Sequence, residues 1–141
     1  MPVFILEIET GPKLGLVSVR EEADIRIRKR LRDLISFCPL SKLHAVSAMG
    51  TKLRFYTAEA GGAITPLRIV SDDQFSIDTA PLECWDCDVL EAEGGARLKT
   101  VVYEIHAQLD SDIATSSQNL RLLPIPRLSP FTYSVLASLH I

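Results

Sequence analysis

The feature that most constrains this chain is its opening run, Val3-Phe4-Ile5-Leu6-Glu7-Ile8, which is nearly continuous in branched and aromatic apolar residues. Such a run reads as a strand buried on both faces in the middle of a sheet. Gly11 and Pro12 stop it. A central strand needs a neighbour on each edge, and here nothing precedes it, so the start reads as truncated and a sheet edge is expected to stand open. Alternation along the strand puts Glu7 and Glu9 on one face with Ile8 on the other.

The rest of the chain fits one mixed α/β domain: a small mixed sheet with two main helices. Ser18 and Glu21 form an S-x-x-E capping box, and Ala23, Ile27, Leu31, Leu34 and Ile35 then recur at helical spacing. Acids lead this helix (Glu21, Glu22, Asp24) and bases come after them (Arg28, Lys29, Arg30, Arg32), as the helix dipole favours. That basic face reads as solvated and paired at i to i+4, with phosphate contact as the alternative. Pro39 ends the helix. Leu43 to Met49 and Lys52 to Thr57 read as two strands joined at Gly50, and Ile64 to Val70 as a third that Pro66 weakens or places at an edge. Ser71 to Pro81 has loop composition, and Trp85 to Leu90 is open between a short strand and a helical turn. Leu98, Val101, Val102, Ile105 and Leu109 form the stripe of a second helix beginning near Gly95. Residues 110–141, polar and then broken by Pro124, Pro126 and Pro130, are expected to be an atypical, poorly ordered tail whose apolar tip could dock on the domain.

A chain of 141 residues sits near the commonest domain size. A formal charge of -3 argues against a general affinity for DNA or anionic membrane. The stretch Phe131 to Ile141 is too short for a membrane span, which takes roughly 20 residues. Three cysteines, Cys38, Cys84 and Cys87, and an opening unlike a signal segment point to an intracellular setting, cytoplasmic or nuclear. Cys84 and Cys87 form a C-x-x-C, but without a second ligand pair it reads as structural rather than as a zinc or redox site.

Few residues are arranged for chemistry. No phosphate-binding glycine loop, G-x-S-x-G or H-E-x-x-H is present. Asp88, Glu104 and His106 superficially resemble a nuclease acid, acid-x-base set, but Glu104 and His106 point about 200° apart on a helix. His44, His106 and His140 have no partners at triad or ligand spacing and read as structural. Asp86, Asp88, Glu91 and Glu93 read as a solvated acidic rim. Glu7 and Glu9 could hold a divalent cation through carboxylate oxygens; the plainer reading is a strand leaving the core at its C-terminal end.

The segments Phe4-Ile5-Leu6-Glu7-Ile8-Glu9-Thr10-Gly11-Pro12, Lys42-Leu43-His44-Ala45-Val46-Ser47-Ala48-Met49-Gly50-Thr51, Asp78-Thr79-Ala80-Pro81 and Trp85-Asp86-Cys87-Asp88-Val89-Leu90 carry a resemblance. Over residues 2 to 109 the chain resembles a family of uncharacterised proteins abundant in mushroom-forming fungi. These in turn resemble the restriction-endonuclease-like, PD-(D/E)xK, nuclease superfamily, whose strand F-F-L-E-I-K-P-P supplies half of the site. The resemblance implies a partial nuclease-like domain over 1–109, with Glu7 as the metal-binding acid and Glu9 where the family has its lysine. A carboxylate there reverses the charge meant to steady water or phosphate. The family's upstream aspartate has no counterpart, and Lys13 is the candidate for a displaced lysine.

The expectation is therefore a degenerate or truncated nuclease-like domain without independent catalysis, serving as a binding or scaffolding module for nucleic acid or protein, with no cofactor. It could also self-associate through its open sheet edge. One alternative is a Mg²⁺-dependent nuclease using Glu7 with a displaced lysine or a partner chain. Another is a structural interaction domain unrelated to nucleases.

Overall fold

The computed structural model describes residues 1–72, 74–75, 77–120 and 134–140. The opening apolar run forms β1 (Pro2–Glu9), interior in a six-stranded mixed sheet as its composition requires. The strand order is β4-β3-β2-β1-β6, where β2 is Lys42–Met49, β3 Lys52–Glu59, β4 Ile64–Thr65 and β6 Ser134–His140. A further short strand, β5 (Cys87–Asp88), pairs with β3.

β1 and β2 are parallel neighbours, so the chain must cross over a sheet face between them. A 3-10 turn (Gly11–Gly15), the helix α1 (Val17–Leu34) and a second 3-10 turn (Ile35–Phe37) make that crossover. β2 and β3 are antiparallel and joined by the two-residue turn Gly50-Thr51, since Met49 pairs with Lys52. Gly50 takes φ +60°, and a Cβ there would stand 2.8 Å from Cα of Gly11. Its amide donates to the carbonyl of Glu9 at 2.9 Å, which ties the hairpin to the end of β1.

Alternation divides the sheet into two apolar faces. Ile5, Leu43, Ala45, Tyr56 and Ala58 pack against Ile27 and Leu31 of α1. Val46, Ala48 and Leu53, with Phe4, Leu6 and Ile8 beside them, meet Leu98 of α2 (Ala92–Leu120) on the other face. Each fully buried aliphatic side chain contributes roughly 1.5–3 kcal/mol relative to exposure. The result is the expected mixed α/β architecture, with one helix on each face.

Several local expectations are corrected. Ser18 lies inside α1 and makes no cap; the N-cap is Leu16 without a side-chain bond. Glu21 instead accepts from the amide and hydroxyl of Thr79, at 3.2 and 3.0 Å, so a tertiary contact has taken the carboxylate a capping box would use. The third strand is confined to Ile64–Thr65, stopping before Pro66. The Trp85 to Leu90 region contributes β5.

The expected boundary between residues 109 and 110 falls within α2, which continues to Leu120. Ser111, Thr115 and Ser117 donate their hydroxyls to the carbonyls of Ala107, Ser111 and Ile113, so a polar segment stays helical by satisfying itself locally. The tail is also corrected at its end: residues 134–140 form β6, parallel to β1. The edge expected to stand open beside β1 is thereby paired. Pro124, Pro126 and Pro130 lie outside the described residues.

Candidate functional site

In sheets with parallel strands, ligands are commonly met beyond the carboxyl ends of those strands. Here β1, β2 and β6 run together toward that end, and Glu7 and Glu9 sit in the last three residues of β1. The register makes one transverse row of the sheet polar: Ser138, Glu7, Ser47 and Arg54 are successive neighbours across β6, β1, β2 and β3. The next row places His140, Glu9, Met49 and Lys52 side by side. Glu7 is 1% exposed and Glu9 5%, so β1 does not leave the core at its end.

Two buried carboxylates on one face need counter-charges, and α1 supplies them. Arg26 donates from Nε to Glu7 Oε2 at 3.0 Å and from Nη2 to Glu9 Oε1 at 2.8 Å, bridging the pair. Arg30 brings Nε within 3.1 Å of Glu7 Oε1, an ion pair without hydrogen-bond alignment, and donates from Nη1 to Ser138 Oγ at 2.5 Å. Lys13, on the turn after β1, reaches Glu9 Oε2 at 3.3 Å. Glu22 stands 3.7 Å from Arg26. Burial works against the Arg26 charge, but the Glu7 and Glu9 carboxylates outweigh it and its pKa is raised.

Three carboxylates thus face three cations, and the cluster is neutral. A Mg²⁺ ion demands carboxylate oxygens with room for its own waters. At Glu7 both oxygens face guanidinium groups, so a metal would have to displace two arginines. Among the described residues no group of three metal-ligating side chains converges. Lys13, the candidate displaced lysine, comes to Glu9, where it neutralises a carboxylate rather than standing free for a phosphate.

Of the basic residues read as a solvated face of α1, Lys29 and Arg32 are exposed and Arg30 is one-third exposed, but Arg28 is buried. Arg20, Asp24 and Arg28, spaced at i, i+4 and i+8, are all buried. Arg20 holds the loop that precedes β5: it donates to the carbonyls of Ala80 and Leu14 and to Asp78 Oδ2 at 2.6 Å. Asp78-Thr79-Ala80 is therefore an anchor for the start of α1. Asp24 accepts from Arg28 and from the hydroxyl of Tyr56 at 2.9 Å, and Arg54 lies 3.2 Å away. Burial and the Asp24 carboxylate push the Tyr56 phenol far up, so it stays protonated as the donor. Lys29 and Asp33 do form the expected exposed i to i+4 pair.

The remaining candidates lie elsewhere. His44 is buried, 3.4 Å from Glu104 of α2; its pKa is lowered, chiefly by burial, against the pull of Glu104. His106 is exposed on α2, as expected. Asp88 accepts from the Leu90 amide and pairs with Lys52, and its pKa is lowered mainly by that amide bond. Asp86 pairs with Arg97. Cys38, Cys84 and Cys87 are free thiols.

The sequence pattern picked out the acids and Lys13, placed Arg30 on a basic helix face without linking it to Glu7, and gave no role to Arg26. The spacing of Arg26 and Arg30 from Glu22 at i+4 and i+8 was the available signal: it marks a flank of α1 parallel to the apolar stripe, facing β1. Fold and site together define an α/β domain with a closed salt-bridge cluster at the carboxyl end of a central strand. The chain matches no family model, no curated protein and no solved structure.

Proposed function

We propose that this is a nuclease-like domain without independent catalysis, serving as a binding or scaffolding module. The observation that carries the reading is the neutralisation of Glu7 and Glu9 by Arg26, Arg30 and Lys13. A hydrolytic site of this type keeps its carboxylates ionised, hydrated and short of counter-charge, so that a metal supplies the balance and activates water. This cluster is balanced internally. The parallel β1-α1-β2 unit, with an acid-x-acid pair ending its first strand, supports a nuclease-like ancestry; Glu9 in place of a lysine supports silence.

The test is incubation of the purified chain with supercoiled plasmid in Mg²⁺ or Mn²⁺. No nicking above a buffer control is expected. Metal-dependent cleavage that disappears in Glu7→Gln, while circular dichroism shows the variant folded, would replace this reading with an active nuclease.

A further inference from the structure

The second charge set on α1 does not balance. Arg28 and Arg54 share the single carboxylate of Asp24, and all three side chains are at most 5% exposed. Part of the surplus is spread over aromatic faces: Tyr56 lies 5.3 Å from Arg28 and 5.0 Å from Arg54, and Trp85 lies 5.3 Å from Arg54. The Pro66 carbonyl takes a third share, accepting from Arg28 Nη1 at 2.7 Å. Even so, Nη2 of Arg28 has no hydrogen-bond partner among the described residues, and Nη1 of Arg54 has only its 3.2 Å ion pair with Asp24. A buried cation left short of partners is costly.

Arg28, Arg32 and Arg68 are the charged residues lining an open cavity of about 290 Å³. Neither Arg32 nor Arg68 makes an ion pair or hydrogen bond among the described residues, and no acidic side chain lines the cavity. Three arginines thus line one concavity that no acidic side chain lines, in a chain of net charge -3, and their like charges favour an anion there. The C-terminal end of α1 opposes an anion with roughly half a negative charge, which the two unpaired positive charges of Arg32 and Arg68 outweigh.

We propose that this cavity binds the phosphate group of a small phosphomonoester. Planar guanidinium forks match phosphate oxygens, and a dianion answers the two exposed, unpaired arginines, Arg32 and Arg68, to which Arg28 adds a third positive charge in the lining. Ile64 and Leu67 give the cavity an apolar wall for the carbon portion of the ligand. The volume lies at the low end of small-molecule sites, which run from roughly 300 Å³ upward, so the organic part is small. The site is separate from the Glu7 cluster and does not depend on the reading of that cluster.

The experiment is calorimetric titration of the full chain with inorganic phosphate, glycerol 3-phosphate and a series of single-stranded oligonucleotides, with sodium chloride at matched ionic strength as control. Saturable 1:1 binding is expected, tighter for glycerol 3-phosphate than for phosphate. The double variant Arg32→Ala/Arg68→Ala, whose side chains are exposed and support no contact in the fold, should weaken it roughly tenfold or more while leaving the circular dichroism unchanged. Heats no different from chloride, or equal affinity in the double variant, would overturn the proposal. Affinity that rises with oligonucleotide length beyond that of glycerol 3-phosphate would overturn it in favour of a nucleic-acid surface.

Discussion

Glu7 shows how one residue can read as chemistry in a sequence and act as structure in a fold. Its carboxylate is fully buried, and it holds α1 to β1 through two arginines that remain partly solvated, Arg26 at 22% and Arg30 at 33% side-chain exposure. Removing one partner of a buried pair costs about 3–5 kcal/mol, and here the lower end applies because both arginines can turn toward water. Urea denaturation of Glu7→Ala should therefore show a loss near 3 kcal/mol; a loss below about 1 kcal/mol would mean that the cluster contributes little to holding the helix.

His44 carries a pH signature of its own. Its folded pKa lies below the ordinary value of 6.5 because burial disfavours the imidazolium, with Lys42 adding to the effect and Glu104 opposing it. The neutral form is the one the fold accepts, so this contribution is complete above pH 6.5 and is lost as the pH falls through and below that value. One proton taken up on unfolding gives a slope of at most about 1.4 kcal/mol per pH unit. Stability of the native chain should drop more steeply from pH 7 to 5.5 than that of His44→Gln; parallel curves would show that Glu104 fully compensates burial.

At the scale of elements, α1 is a helix with three stripes rather than two. Ala23, Ile27 and Leu31 form the apolar centre, Arg20, Asp24 and Arg28 a buried polar flank that meets β3 through Asp24 and Arg28 and the loop before β5 through Arg20, and Glu22, Arg26 and Arg30 a flank toward β1. A single apolar stripe is what periodicity detects, so the flanks read as solvent-facing. α2 has a different constraint at its start. A Cβ on Gly94 would collide with the backbone carbonyl of Asp88 in β5, so the helix can approach the strand only because that position is glycine. Helix propensity alone makes Gly94→Ala stabilising by about 1 kcal/mol. Overpacking against backbone costs about 1–3 kcal/mol and should win. Thermal denaturation decides the sign: a raised melting temperature would show that α2 shifts away without penalty.

For the whole molecule, the question is how the sheet ends. β6 pairs along β1 from Ser134 to His140 and removes the edge that the opening strand would otherwise present. The edge is moved outward to β6, whose Val135 and Leu139 are 60% and 63% exposed. A chain stopped after Leu120 should unfold at lower denaturant and sediment as larger species, because β1 would offer an unpaired apolar edge. A truncated chain that stayed monomeric with unchanged stability would show that β6 adds nothing to the sheet. At high concentration the full chain is itself expected to associate through the β6 edge, and Val135→Lys should return it to monomer.

The amino-acid sequence by itself determined the elements whose signal is local and strong: the central strand from Val3 to Glu9, the hairpin at Gly50, and the two helices with their apolar stripes. It also placed Glu7 and Glu9 on one face, since period-two alternation needs no tertiary information. What only the tertiary structure decided was the fate of the charges. Whether Arg26 and Arg30 face water or a carboxylate depends on which strand lies beneath α1, and that a residue at position 138 stands beside Glu7 depends on a pairing across most of the chain. Charge partners are chosen by proximity in space, and a one-dimensional pattern records only proximity along a helix or strand. The closed cluster at β1 and the unbalanced arginines at the Arg28 cavity were therefore invisible until the chain was folded.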